Sequence, residues 1–211
     1  MLGFVALWAI VTDAWNYSAL LSNFIPMSLC KYLYAYFSRI VWMLTAFILI
    51  HRLDQNLFWN RKHLFSAPRA EPVFVVFMVL TTIYALAIMG INHGSWHITQ
   101  ENILLLSIKF LIVGIGEETV FRGWGYNLLK KVRSNAASLI LSTCMFVALH
   151  WPAYWIKLLL YGQFSLPEMI AQSLSALFCG LLFAVMLQRS GTLWNPILAH
   201  AYYDWMLEVF A

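Results

Sequence analysis

The sequence predicts an all-α membrane protein, a multi-pass bundle of seven to eight transmembrane helices around an intramembrane cavity. Of its 211 residues, 62% are hydrophobic and 10% are charged, whereas a soluble domain has about 25% charged residues. The mean hydropathy is +0.74. The apolar runs are continuous, which is typical of membrane helices and not of the alternating strands of a β-barrel. This composition excludes a disordered chain, a nucleic-acid-binding protein and an ordinary cytosolic enzyme.

Seven apolar stretches account for the predicted helices. A helix needs about 20 residues to cross a bilayer, and the candidates are 2–21, 33–52, 72–91, 103–129, 136–151, 168–187 and 192–210. A further apolar piece at 153–161 is too short to span and is expected to be re-entrant or interfacial, and it explains the range of seven to eight. The prolines at or near segment ends, where a missing N–H costs little, are Pro72, Pro152, Pro167 and Pro196.

The basic residues predict the orientation of the chain. Eight of the thirteen Lys and Arg residues fall on one side of the predicted spans: Arg52, Arg61, Lys62, Arg69, Lys130, Lys131, Arg133 and Arg189. The other side keeps Lys31 and Lys157. Because cytoplasmic loops are enriched in Lys and Arg, the N-terminus is expected in the cytoplasm. The short chain without organelle-type extensions favours the inner membrane of a bacterial cell.

The most unusual group of residues lies in the middle of the 103–129 span, in the run Gly116-Glu117-Glu118-Thr119-Val120-Phe121-Arg122-Gly123. Ionisable side chains within a membrane are costly and mark functional sites by default. Glu118 and Arg122 are four residues apart, so they share a helix face and can pair. Glu117 points about 100° away from Glu118 around the helix axis, so it is not part of this pair and can have another role. The glycines that would let a neighbouring helix approach closely are Gly114, Gly116, Gly123 and Gly125.

Two further groups fall at the same predicted depth. His150 ends the 136–151 span, and His200 and Asp204 lie four residues apart in the last span. Measured from the basic side at 1.5 Å per residue, the depths are about 20 Å for Glu117, 21 Å for His150, 12 Å for His200 and 18 Å for Asp204. The three groups can therefore meet in one layer of the membrane.

Two glutamates, two histidines and an aspartate in one layer can hydrolyse an amide bond in two ways. A Glu or His side chain can act as general base and take a proton from a bound water. Alternatively, a zinc ion can activate the water, and its candidate ligands are Glu117, His150, His200 and Asp204. The sequence has neither an H-E-x-x-H nor a G-x-S-x-G motif. Both routes stay open, and zinc is the one cofactor that the residues suggest.

The three groups together resemble the signature motifs of the CPBP family, which contains CAAX proteases and bacteriocin-processing enzymes and is also called the Abi family. EETVFR, FVALH and HAYYD are similar, in order and separation, to the family patterns E-E-x-x-x-R, F-x-x-x-H and H-x-x-x-N/D. The resemblance covers roughly 103–207 and implies an intramembrane endopeptidase. It divides the chain into N-terminal transmembrane helices, 1–102, and a catalytic helical core, 103–211, within one structural domain.

The resemblance also implies a role for each motif residue. Glu117 is expected to activate the water, assisted by His150. Glu118 and Arg122 are expected to form a supporting pair that fixes Glu117. The last motif is expected to stabilise the tetrahedral oxyanion through its two polar residues, His200 and Asp204.

Asp204 departs from the eukaryotic CAAX-cleaving branch of the family, which has Asn at this position. An ionised carboxylate accepts hydrogen bonds and cannot donate one to an oxyanion. Asp204 must therefore carry a proton, orient His200 or bind a metal ion, and the sequence leaves these alternatives open.

The expected function is cleavage of a membrane-associated peptide or protein precursor, with the lipid bilayer as environment and no nucleic acid as partner. Two other functions stay open. One is a non-proteolytic bacteriocin-immunity or membrane scaffold protein. The other is a proton-coupled carrier, although carriers often consist of repeated halves with broken helices and the sequence has no such repeat.

Overall fold

A computed structural model describes residues 23–91, 100–159 and 164–210, together with Gly162 and residues 3, 4, 7, 8, 10 and 11. Every regular element in that part of the chain is a helix, and it contains no strand, which confirms the all-α prediction. The helices are α1 Met27–Arg52, α2 Arg61–Leu64, α3 Pro72–Ile91, α4 Gln100–Glu118, α5 Asn127–Val132, α6 Asn135–Leu159, α7 Leu166–Ser190 and α8 Trp194–Phe210. The predicted span at 2–21 lies mostly outside the described residues.

The length and composition of the helices are those of a membrane protein. Four segments in the described ranges are long and apolar enough to cross a bilayer: Tyr32–Arg52, Pro72–Ile91, Asn135–Leu159 and Leu166–Ser190. Between α4 and α5 the chain continues without a break as a π-helix, Thr119–Tyr126. The predicted 103–129 span is therefore one long helical rod whose central part is wound more widely.

The prediction of a separate apolar piece at 153–161 is wrong. α6 passes through Pro152 and continues to Leu159 as a single helix of 25 residues. Proline removes one backbone hydrogen bond, but membrane helices tolerate it because neighbouring groups satisfy the freed backbone. Tyr154 is buried against the bundle, which holds the second half of the helix in place. His150 is consequently inside a helix and not at the end of one.

Hydrogen bonds and ion pairs gather the basic residues at one end of the bundle. Lys131 donates from Nζ to the Gln55 carbonyl at 2.8 Å, and the Arg189 Nε lies 2.7 Å from Glu71 Oε1. We call this the basic end, and it contains residues 52–71, 130–133 and 189–193. The opposite, distal end contains the beginnings of α1, α4 and α7 and the ends of α6 and α8.

Small residues let the helices around α4 approach closely. A Cβ added to Gly116 would lie 3.0 Å from both the Cβ and the carbonyl oxygen of Arg39 on α1. A Cβ on Gly114 would lie 2.9 Å from the carbonyl oxygen of Ile197 on α8. α4 therefore packs backbone to backbone against both neighbours, which places their polar side chains beside Glu117.

Candidate active site

A cavity of about 410 Å³ lies among α1, α4, α6, α7 and α8. Four of the residues predicted for the site line it together: Glu117, His150, His200 and Asp204. The other two, Glu118 and Arg122, are completely buried behind it. The structure thus brings all six predicted residues into one region, as the matched depths indicated.

Glu118, Arg122 and His200 form a buried cluster behind the cavity. Arg122 donates from Nη1 to Glu118 Oε1 at 3.0 Å, which confirms the predicted pair. The same carboxylate oxygen lies 2.9 Å from His200 Nδ1. Since an ionised carboxylate only accepts, His200 Nδ1 carries a hydrogen and Nε2 is directed into the cavity. Arg122 also donates from Nη2 to the carbonyl of Gly180 at 2.9 Å, which fixes it against α7.

Glu117 occupies the floor of the cavity with only 2% of its side chain exposed. Arg39 of α1 holds one carboxylate oxygen, with 2.7 Å between Nη2 and Oε1. The other oxygen, Oε2, lies 3.8 Å from His150 Nε2 and 3.9 Å from His200 Nε2. These separations are too long for direct hydrogen bonds, and polar contacts of this length commonly have a water between them.

The orientation of His150 follows from its own helix. Its Nδ1 lies 2.8 Å from the carbonyl oxygen of Phe146, one turn earlier. A carbonyl oxygen only accepts, so Nδ1 donates, and Nε2 is directed toward Glu117. The edge of the Phe146 ring packs against the His150 ring at a centroid distance of 4.7 Å, which fixes the imidazole further.

Asp204 lies beside His200 on the wall of the cavity. Its Oδ2 is 3.4 Å from His200 Nε2, one turn away on α8. The Phe183 ring stacks on the other face of His200, with 5.0 Å between centroids and an interplanar angle of 22°. His200 is therefore held by Glu118 at one nitrogen, by Phe183 on its face and by Asp204 near the nitrogen that faces the cavity.

The arrangement of the donor side chains bears on the zinc alternative. Within the described ranges no three His, Cys, Asp or Glu side chains are arranged as ligands of one metal ion. Arg39 also places a positive charge 2.7 Å from the central carboxylate, where it opposes binding of a second cation. As they are arranged, these side chains do not form a zinc site, and the role of zinc stays a prediction.

Arg39 is the residue that sequence reasoning missed. The sequence of α1 contains no Asp or Glu, so an arginine in its middle must find a carboxylate on another helix. Intramembrane cations pair with other charged groups or with backbone carbonyls. That rule was the available signal, and the partner is Glu117.

The fold and the site define a class: a helical membrane protein with paired carboxylates and two imidazoles at the bottom of an intramembrane cavity. The family model of the type II CAAX prenyl endopeptidase Rce1-like proteins matches residues 99–206. No curated protein and no solved structure shows a significant match. The chain belongs to this family, which is the CPBP family of intramembrane proteases. It is an integral membrane protein.

Proposed function

We propose that the protein is an endopeptidase that hydrolyses a peptide bond of a membrane-associated peptide or protein precursor with a water activated by Glu117. The observation that supports this best is the position of Glu117 Oε2, 3.8 and 3.9 Å from two imidazole nitrogens in a cavity. A water held among these three atoms would be close enough to each for a hydrogen bond. Family membership supports the peptidase class.

In the first step, Glu117 takes a proton from this water, and the water oxygen attacks the carbonyl carbon of the substrate. A general base must lie within hydrogen-bond reach of the proton that it removes, and Oε2 satisfies this condition. Arg39 binds the other oxygen and leaves Glu117 one free basic atom that points at the water. His150 Nε2 is the acceptor for the second hydrogen of the water.

The attack places a negative charge on the carbonyl oxygen, and His200 is the donor we assign to it. Two groups of charges meet at the site: the carboxylates of Glu117, Glu118 and Asp204 and the guanidinium groups of Arg39 and Arg122. Three carboxylates and two guanidinium groups leave a net charge of −1, which one further proton neutralises. On His200 Nε2, that proton provides a hydrogen-bond donor that faces the cavity. Preorganised donors of this kind stabilise oxyanions strongly. In this arrangement Asp204 orients His200, and this role does not require Asp204 to donate a hydrogen bond.

In the last step the carbon–nitrogen bond breaks, and Glu117 gives the proton that it took from the water to the leaving amine, while the water oxygen stays on the carbon as part of the new carboxyl group. The carboxylate returns to its ionised form with Arg39 at Oε1. The bilayer is the working environment, and we place the protein in a bacterial cell membrane with its N-terminus in the cytoplasm. The excess of eight basic residues over two supports this orientation.

Cleavage of a library of quenched fluorogenic peptides by the purified protein in detergent tests the proposal. Glu117→Gln should abolish cleavage and leave the protein folded, because an amide cannot take the proton. It also weakens the contact with Arg39, but that side chain is 20% exposed, so the unfolding temperature should fall less than on loss of a fully buried pair. Glu118→Gln is the comparison variant, because it makes the same chemical change at the adjacent glutamate. It removes the charge that faces buried Arg122, and breaking a buried pair costs about 3–5 kcal/mol, so both activity and unfolding temperature should fall. Full turnover by Glu117→Gln would reject the proposed mechanism, and an inactive wild-type protein would favour an immunity or carrier role.

A further inference from the structure

We infer that the cavity opens on the extracytoplasmic side of the membrane and takes an unfolded peptide segment presented from that side. The role of the segment as substrate rests on the proposed function. The direction of the opening rests on geometry and charge alone, so the two can fail separately.

The exposure of the lining residues shows which way the cavity opens. Glu117 and His200 at the floor are almost fully buried, Asp204 has 27% of its side chain exposed, and Gln172 is exposed. Gln172 lies in the first turns of α7, close to the distal end. Lys109, also on the lining, is the middle residue of α4 and lies eight residues before Glu117, toward the distal end. The mouth of the cavity is therefore at the distal end.

The other direction is closed. Between Glu117 and the basic end lies a layer of side chains that are at most 1% exposed: Arg122, Tyr126, Leu187 and Ile197. The last three belong to one hydrophobic cluster that also contains Leu193, Ile50 and Leu64. Protein interiors are packed too densely for a peptide to pass through such a layer. A substrate therefore cannot reach Glu117 from the basic end.

The charge distribution assigns the two ends to the two sides of the membrane. Arg52, Arg61, Lys62, Arg69, Lys130, Lys131, Arg133 and Arg189 are in or beside the short loops of the basic end. Lys and Arg in such loops mark the cytoplasmic side, and the anionic lipids of the inner leaflet attract them further. The mouth at the opposite end therefore faces the extracytoplasmic side.

The depth of the cavity limits what can enter. Eight residues of α4 separate Lys109 near the mouth from Glu117, which corresponds to about 12 Å. An extended chain advances about 3.3 Å per residue, so roughly four residues must be unfolded to bring a peptide bond to Glu117. The substrate class is thus an extended terminus or loop of an exported or outer-leaflet peptide, and not a folded domain.

Cysteine accessibility tests the direction of the opening without any need for activity. The three native cysteines are Cys30, Cys144 and Cys179, and replacing all three with Ala provides the background. A cysteine is then introduced at the mouth, Gln172→Cys, or at the exposed start of α6 beside the basic end, Ala136→Cys. Both variants are expressed in a bacterial host and treated with a membrane-impermeant maleimide in spheroplasts and in inverted vesicles.

We expect Gln172→Cys to react in spheroplasts and to be protected in inverted vesicles, and Ala136→Cys to show the reverse. The reverse result for both, or no reaction of Gln172→Cys from either side while it reacts in detergent, would overturn the inference. A second measurement adds a peptide that the purified protein cleaves to sealed vesicles: cleavage should require right-side-out vesicles. The expected labelling with an inactive purified protein would reject the proposed function and leave the direction of the opening intact.

Discussion

Two adjacent glutamates have different chemical environments because a helix turns about 100° between them. Glu118 faces Arg122 and His200 in the dry interior. Glu117 faces the cavity, with Arg39 at one oxygen and two more distant imidazoles at the other. The first carboxylate receives both of its donors at Oε1, in the interior behind the cavity, and suits a structural role. The second keeps an oxygen available for water. The proposed division of labour between them follows from this difference.

Arg39 should be a positioning residue for Glu117. Arg39→Met removes the donor to Oε1 and leaves a buried carboxylate without its compensating charge, so the carboxylate should move or take up a proton. Misplacing a catalytic group by about 1 Å can lower a rate about 100-fold. We expect a loss of this order in kcat with little change in KM, measured by peptide cleavage in detergent.

Arg39→Lys is the matched control, because lysine keeps the charge and loses the planar fork. It should restore part of the lost rate. Equal activity of Arg39→Met and the wild type would show that the contact to Glu117 does not matter for cleavage. An equal loss in both variants together with a lower unfolding temperature would indicate that Arg39 only stabilises the fold.

Asp204 separates the metal-dependent from the metal-free mechanism. If Asp204 only orients His200, Asp204→Asn can keep that contact, and cleavage should continue and be unaffected by a chelator in both forms. If Asp204 binds zinc, the substitution removes a charged ligand, and the activity should become more sensitive to chelation. We expect the first result. About one equivalent of zinc per active chain, lost with activity on chelation and restored with it on addition of metal, would establish the second.

The residues of the site differ in how far sequence could predict them. The pairing of Glu118 with Arg122 depends only on helical spacing, and it was predictable because the two residues are four positions apart in the sequence. The pairing of Glu117 with Arg39 joins residues far apart in the chain, and it depends on how α1 packs against α4. Spacing carries no information about that packing, so the only indication in the sequence was an arginine within a helix that contains no Asp or Glu.

At the scale of elements, close contacts between helix backbones place the catalytic side chains. Gly116 faces Arg39 and Gly114 faces Ile197 at distances that leave no room for a Cβ. Such small-residue contacts are a common way for membrane helices to associate. Sequence predicted that the glycines allow close approach, but not which helix approaches each one. Pro152 likewise predicted a helix end where α6 continues, because its surroundings compensate for the missing hydrogen bond.

Gly116→Ala should push α1 away from α4 and displace Arg39 from Glu117. Overpacking of this kind costs about 1–3 kcal/mol, so we expect a lower unfolding temperature and a loss of cleavage activity. Gly90→Ala on α3 is the control, because an added Cβ there would have nothing within 4 Å. It should leave activity unchanged and alter stability by less than about 1 kcal/mol. Similar effects of the two substitutions would show that the α1–α4 contact does not control the site.

At the scale of the whole molecule, the family model and the site cover different parts of the chain. The model matches residues 99–206, yet the cavity is also lined by α1, through Tyr34, Ala35, Ser38 and Arg39. The first half of the chain therefore contributes a wall of the cavity and the cation at Glu117. The predicted catalytic core, residues 103–211, contains the residues that react. It does not contain Arg39, which positions Glu117.

Cutting the chain between residues 95 and 96 should separate the two contributions. The fragment 96–211 has every motif residue and lacks Arg39, so we expect it to be inactive alone. Membrane helices that insert independently can associate afterwards, and α1 and α3 both pack against the C-terminal half. Co-expression of fragments 1–95 and 96–211 should therefore restore peptide cleavage. Arg39→Met in the first fragment should abolish that restoration while the fragments still co-purify. Full activity of the fragment 96–211 alone would refute the requirement for α1.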